Sequence, residues 1–154
     1  MIQARPTNTK LINIICANLI PGLLLMLFAY TGTAKLIGHS IFLHQLAKMP
    51  VIKQYAVFIS CFIPVSELLI AMLLVFPALR TWGLLLSVLL MLLFTTFVAF
   101  ILTGQYVPCS CGGILSKMSW AQHLIFNIAF TILSITSLWY HKSLHVYKGV
   151  SRKP

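Results

Sequence analysis

The chain has almost no acid: among its 154 residues Glu67 is the single carboxylate side chain, set against 11 Lys and Arg, for a formal net charge of +10. Charge of either sign is scarce, at 8% of residues, where a soluble domain carries about a quarter. A surface so poor in charge cannot face water, and a mean hydropathy of +0.98 with 60% apolar residues points the same way. The sequence also lacks internal repeats and low-complexity tracts, and its length leaves no room for a soluble second domain. The basic residues form no aromatic-interleaved stripe, which argues against nucleic acid; they sit at the ends of apolar segments, where they anchor helices at lipid headgroups.

What is present is hydrocarbon-length apolar sequence. A bilayer core takes about 20 mostly apolar residues as a helix, and residues 11–36, 55–76, 81–103 and 120–140 meet that length. The expected fold is an all-α integral membrane protein, a four-helix bundle: residues 1–10 form a cytoplasmic segment, 11–141 the membrane domain, and 142–154 a basic cytoplasmic tail. Pro77 and Arg80 bracket a tight turn that makes the second and third spans antiparallel neighbours. Arg5 and Lys10 before an apolar run mimic a signal peptide, but the run exceeds the ~7–15 residues of a signal h-region.

With the N-terminus inside, Arg5, Lys10, Arg80, Lys142, Lys148, Arg152 and Lys153 lie on the cytoplasmic side, against Lys35, Lys48, Lys53 and Lys117 on the other. That bias predicts both termini in the cytoplasm. It places residues 105–119 on the oxidising side of the membrane. Between the first two spans, Ile41, Phe42, Leu43, Leu46 and Met49 recur at helical spacing among His44, Gln45 and Lys48, which predicts a short interfacial helix that ends at Pro50 and covers the outer mouth.

Few residues carry chemistry. Pro108-Cys109-Ser110-Cys111-Gly112-Gly113 is a short turn outside the third span. Two cysteines one residue apart can close a small strained disulfide, suited to exchange rather than stapling, and the glycines allow a partner backbone to approach. Alternatively, these are plain loop residues or pair with another chain. Cys109, Cys111 and His123 offer soft ligands, but no fourth ligand stands at a familiar spacing, so no metal is assigned. Cys16 and Cys61, inside spans near the inner face and in the outer half respectively, read as small packing residues.

On the fourth span His123, Asn127, Thr131, Ser134 and His141 trace one helix face. This seam must face the bundle interior, and for Thr131 and Ser134 interhelical hydrogen bonding suffices. His123, near the cysteine turn, is placed to assist thiolate formation or bind a carbonyl oxygen. Glu67, mid-span after Pro64 and Ser66, costs roughly 2.5–3.5 kcal/mol to insert. It is either a structural polar anchor or a group that handles protons or orients a ligand. Lys35 is its nearest partner if the helices tilt; otherwise it snorkels outward.

Gly32-Thr33-Ala34-Lys35, Pro64 with Glu67, and above all Cys109-Ser110-Cys111-Gly112-Gly113 followed by Ser119-Trp120, His123 and Asn127 resemble the MauE branch of the DoxX-like membrane proteins, from about Phe28 to Ser137. That resemblance implies a four-helix bundle in a bacterial cytoplasmic membrane, linked to maturation of disulfide-rich periplasmic enzymes, of which methylamine dehydrogenase is the best-known case, alongside a thioredoxin-fold partner. Wider relatives are associated with quinone-linked sulfur redox chemistry.

The expected function is thus a thiol–disulfide oxidoreductase of the membrane. Cys109 and Cys111 exchange with a periplasmic thioredoxin-like protein, His123 tunes the thiolate, and a quinone between the helices carries electrons. Glu67, Lys35 and Asn127 are the membrane-buried polar or ligand-orienting residues. The rival is a non-catalytic scaffold that docks another membrane subunit. Small-solute transport is disfavoured by the small bundle and the lack of inverted repeats.

Overall fold

A computed structural model describes residues 15–49, 52–103 and 119–150, with side chains for all of these except 15, 16, 120 and 143–150. Among them there is no strand. Five helices are present: α1 (Ile20–Ile37), α2 (His39–Ala47), α3 (Ala56–Val75), α4 (Arg80–Thr103) and α5 (Trp120–Val150), with a π-helical turn Ile15–Leu19 leading into α1 and a 3₁₀ turn Lys53–Tyr55 leading into α3. Four segments are long and apolar enough to cross a membrane: Ala17–Ile37, Lys53–Val75, Arg80–Thr103 and Ala121–Lys142. The anticipated spans agree with these to within a few residues, except that residues 11–14 of the first lie outside the described residues and that the helix begun by the fourth continues to Val150, into the basic segment.

Unlike a water-soluble bundle, this one turns large apolar side chains outward and buries polar groups within an otherwise apolar interior. Met26, Val57, Phe58, Phe62, Leu89, Ile125 and Trp139 point outward, while Ser60, Glu67, Ser87, Asn127, Thr131, Ser134 and Ser137 are buried. Outward apolar groups cost nothing in hydrocarbon, and inward hydroxyls find partners that lipid cannot supply. Most do so on their own helix: Ser87 Oγ donates to the Gly83 carbonyl and Ser134 Oγ to that of Phe130, each at 2.7 Å. The apolar centre is built from Leu24 and Phe28 of α1, Ile70 and Leu74 of α3, and Leu84 and Met91 of α4, with Phe130 and Leu133 of α5 packed against it.

α1 packs chiefly on α3, and α4 on α5, with α3 joined to α4. The α3–α4 turn has a local cause. The ring of Pro77 bars Phe76 from helical backbone, and Phe76 is accordingly extended, at φ −86° and ψ 118°. Four residues later α4 has begun, with Gly83 so close to α3 that a Cβ would lie 3.1 Å from the Leu74 nitrogen. Arg80 then reaches back to α1's entry, donating to the Ala17 carbonyl at 3.0 Å and to Asn18 Oδ1 at 3.4 Å. A π-helical turn shifts the backbone ladder, and the guanidinium covers one of its carbonyls.

The short helix predicted between the first two spans is present, but it ends at Ala47 rather than at Pro50. Its last turn tightens through 3₁₀-type bonds, Lys48 N–H to the Gln45 carbonyl at 3.3 Å and Met49 N–H to that of Leu46 at 3.1 Å. The residue before a proline is driven away from helical backbone, so the helix stops ahead of the proline.

Candidate functional site

The site lies at one end of the bundle, where α1 and α4 finish and α3 and α5 begin. Its geometry starts from Gly32. A Cβ there would stand 3.0 Å from Leu68 Cγ and 3.1 Å from the Pro64 carbonyl oxygen, so the missing side chain lets α1 and α3 approach almost backbone to backbone. On α3, Glu67 lies between those two contact residues, and Lys35, one turn on from Gly32 in α1, reaches it. Lys35 Nζ donates to Glu67 Oε1 in a salt bridge, with the carboxylate 1% and the lysine 25% exposed. The two options for Lys35 are thereby decided: it pairs inward and does not snorkel.

The pair is only half satisfied. Glu67 Oε2 is buried and has no hydrogen-bond partner among the described residues. The Thr31 hydroxyl is within hydrogen-bonding reach of the carboxylate and also lies 2.9 Å from the Leu27 carbonyl, so one rotatable proton faces two acceptors. Lys35 is better provided for, with Nζ 5.0 Å from the centre of the Phe94 ring and 5.9 Å from that of Phe42. Aromatic faces hold a cation in low dielectric without themselves needing a proton.

Around the pair is a cavity of about 430 Å³ with walls from all five helices; Lys35, Glu67, His123 and Asn127 all line it, among mostly apolar and aromatic side chains. Small-molecule sites span roughly 300–1,000 Å³ and combine apolar walls with a few placed polar groups. Phe42, Gln45 and Leu46 of α2 form one wall, so the short helix covers the mouth, as its pattern suggested. His39 pins it there. The Ser60 hydroxyl donates to the Val57 carbonyl at 2.8 Å, so the 3.1 Å contact from His39 Nε2 to Ser60 Oγ needs the proton on Nε2. Cys61 Sγ lies 3.5 Å from the same nitrogen. Cys61 is exposed, which corrects its reading as a core-packing residue: it sits on the outward face of α3.

α5 delivers His123 and Asn127 by a reciprocal cap. Ser119 N–H donates to Gln122 Oε1 at 2.9 Å and Gln122 N–H to Ser119 Oγ at 3.3 Å, which satisfies two donors that the first turn leaves open. His123 N–H then makes the first helical bond, to the Ser119 carbonyl at 2.9 Å. His123 is half-buried and Asn127 buried. Further along, the seam turns structural: Thr131 Oγ1 lies 3.1 Å from Thr95 Oγ1 and His141 Nδ1 3.3 Å from Thr81 Oγ1, both tying α5 to α4.

Against this geometry, a family model described as methylamine utilisation protein MauE matches residues 12–140. The chain belongs to the MauE family. The match covers the first three spans, the fourth as far as residue 140 and both sides of the cavity, so the Lys35–Glu67 pair lies well inside the family region. No curated protein and no solved structure gives a significant match.

Of the residues singled out in this MauE-family chain, Lys35, Glu67, His123 and Asn127 come together around one cavity. Cys109 and Cys111 lie outside the described residues, as does the whole of 104–118, which joins the ends of α4 and α5 at this same end. Sequence reasoning missed Phe94, Thr31, His39 and Ser60, and found Phe42 only as part of the short helix over the mouth. No local signal marked Phe94 or Thr31 among so many apolar neighbours. The Ser119-Gln122 spacing that starts α5 was readable as a capping box.

Proposed function

We propose that this membrane protein of the MauE family is a thiol–disulfide redox protein that supports maturation of periplasmic proteins. The observation that carries the reading is convergence: Lys35, Glu67, His123 and Asn127 line one cavity at the end of the bundle from which the Cys109–Cys111 segment departs and to which it returns. An adventitious collection of polar groups would be scattered along four spans, since each is costly in hydrocarbon; here they share one chamber.

Cys109 and Cys111 cycle between dithiol and disulfide. Closing the sulfur–sulfur bond releases two electrons and two protons, and opening it takes them up. Exchange with a periplasmic thioredoxin-like protein runs through a mixed disulfide, one sulfur attacking the other's bond and expelling a thiolate. His123, in the first turn of α5, assists that thiolate. A quinone between the helices supplies the two-electron, two-proton counterpart. Lys35 and Glu67 hold charge at the chamber wall, and Asn127 orients what binds there. The setting is a bacterial cytoplasmic membrane with both termini inside, which puts the cysteine segment on the oxidising face. The family description, methylamine utilisation, suggests one class of enzyme that such a protein serves.

The decisive experiment replaces Cys109 and Cys111 with Ser together. The expected result is loss of disulfide exchange with the partner while the protein accumulates in the membrane. An unchanged partner disulfide state at normal abundance overturns the redox reading in favour of a docking scaffold. A single-cysteine variant traps the mixed disulfide and identifies the partner. Thiol labelling from outside intact cells, after reduction, reaches Cys109 or Cys111 if the orientation is right; labelling only after membrane rupture reverses it.

A further inference from the structure

Away from the cavity, two side chains of α3 converge on one ring nitrogen of α2. His39, the first residue of α2, brings Nε2 to 3.1 Å from Ser60 Oγ and 3.5 Å from Cys61 Sγ. Ser60 is fully buried and its hydroxyl donates to the Val57 carbonyl at 2.8 Å, which leaves its lone pairs to receive the Nε2 proton. The same N–H lies within reach of the sulfur. Cys61 is exposed, so the sulfur has an imidazole on one side and an open approach on the other. None of the three residues lines the cavity.

The position of the cluster matters as much as its distances. The first membrane-crossing segment ends at Ile37, just before His39, so the cluster stands near the edge of the hydrocarbon, where water takes up a thiol proton. Around the sulfur the outward face of α3 is apolar: Val57, Phe58, Phe62 and Val65 are all exposed, and the rings of Phe58 and Phe62 stack with centroids 5.3 Å apart. The thiolate is the form of cysteine that attacks disulfides, and its charge needs a donor where water is scarce. His39 Nε2 is placed as that donor, and the buried Ser60 hydroxyl fixes the direction of the ring. A nucleophile with an imidazole in hydrogen-bond reach, oriented by a third group, is how proteins activate a sulfur. A cysteine that only fills space needs neither the imidazole nor the open side.

We propose that Cys61, with His39 and Ser60, is a second thiol-exchange site, which takes small neutral disulfides from the edge of the bilayer. The Cys61 S–H proton passes to water. The thiolate attacks one sulfur of the disulfide, a bond forms between Cys61 Sγ and that sulfur, and the original sulfur–sulfur bond breaks to release the other half as a thiolate. Cys61 is oxidised, the released half is reduced, and no further oxidant is needed. The apolar surroundings set the substrate class, because a charged disulfide must shed hydration to approach the sulfur. This site goes beyond the Cys109–Cys111 reading and stands without it.

The test uses the full chain in lipid nanodiscs with Cys16→Ser, Cys109→Ser and Cys111→Ser, which leaves Cys61 as its single thiol. Neutral dithiodipyridine is added and the released thiopyridone is followed by absorbance, each rate being divided by that of a free thiol in the same buffer. One equivalent should be released per chain, and a reductant should reverse the reaction. A hydrogen bond to the charged sulfur, partly offset by the lower nucleophilicity of a stabilised thiolate, is worth about three- to tenfold in rate. His39→Met, which keeps bulk but loses the donor, should be slower by that factor, with His39→Gln, which keeps an N–H, in between. Anionic dithiobis-nitrobenzoate should lag behind the neutral reagent after the same normalisation. An unreactive Cys61, a His39→Met rate equal to or above the parent's, or equal normalised rates for the two reagents overturns the proposal. Should His39→Met fail to accumulate, His39→Gln carries the comparison, and a rate at or above the parent's is then the overturning result. The turn cysteines are absent from this protein, so failure here leaves the Cys109–Cys111 reading standing, and failure there leaves this one.

Discussion

The two helix pairs of this bundle solve the same problem differently. Between α4 and α5 the polar groups are neutral and complete: Thr131 Oγ1 gives its proton to the Asn127 carbonyl at 2.7 Å and meets Thr95 across the interface, and Ser134 bonds its own helix. Between α1 and α3 there is an ion pair, one carboxylate oxygen left open, and a cavity beside it. Hydroxyl seams join helices at little cost in either state of the chain. A charged pair in hydrocarbon is expensive, and replacing it with packed apolar residues is often neutral or stabilising. Its presence beside a cavity that His123 and Asn127 of α5 also line marks that end of the bundle as the one with work to do.

The sharpest way to break the contrast is to unpair the charge. Lys35→Met leaves the Glu67 carboxylate buried and alone, and loss of one partner of a buried pair costs on the order of 3–5 kcal/mol. Thermal unfolding in detergent should show a large drop, and adding Glu67→Met should recover most of it. A double variant as unstable as the single one would mean that the pair does not set the cost. Gly32→Val, one turn away, must push α1 off Pro64 and Leu68. Overpacking of this kind costs about 1–3 kcal/mol, and the same melt should find the loss together with weaker binding in the cavity.

On the other side the effects should be smaller. Ser119→Ala removes half of the cap of α5, worth about 1 kcal/mol. Faster amide exchange confined to the first turn, around His123, would report it. Thr131→Val removes the contact with Thr95, and interhelical hydrogen bonds in membranes average about 0.6 kcal/mol. A change in melting close to the error of measurement, with ligand binding untouched, is the expected outcome. If Thr131→Val proved as damaging as Lys35→Met, the division into a holding seam and a working end would be wrong.

Much of the candidate site was legible because hydrocarbon makes polarity conspicuous. Glu67 stood out as the single acid, and the four-residue spacing of His123 and Asn127 put them on one face before any coordinates. The partner of Glu67 was harder to read, because Lys35 at a helix end has two good outcomes, snorkelling or pairing, separated by helix tilt alone. Cys61 was read as packing since thiols in spans usually are; which face of α3 it occupies depended on where α1 and α2 settled. His39 and Ser60, 21 positions apart, carried no shared pattern.

The sequence by itself determined the solvent, the number of spans, the turn at Pro77 and the polar face of α5, because these follow from chain-local rules: length against bilayer thickness, proline sterics and helical period. Tertiary structure alone decided that α1 and α3 touch at Gly32, that Lys35 therefore turns inward, and that an aromatic chamber lies beside the Lys35–Glu67 pair. Those features depend on distances between segments far apart in the chain. They are set by the packing of whole helices, to which a missing Cβ contributes as much as any charge.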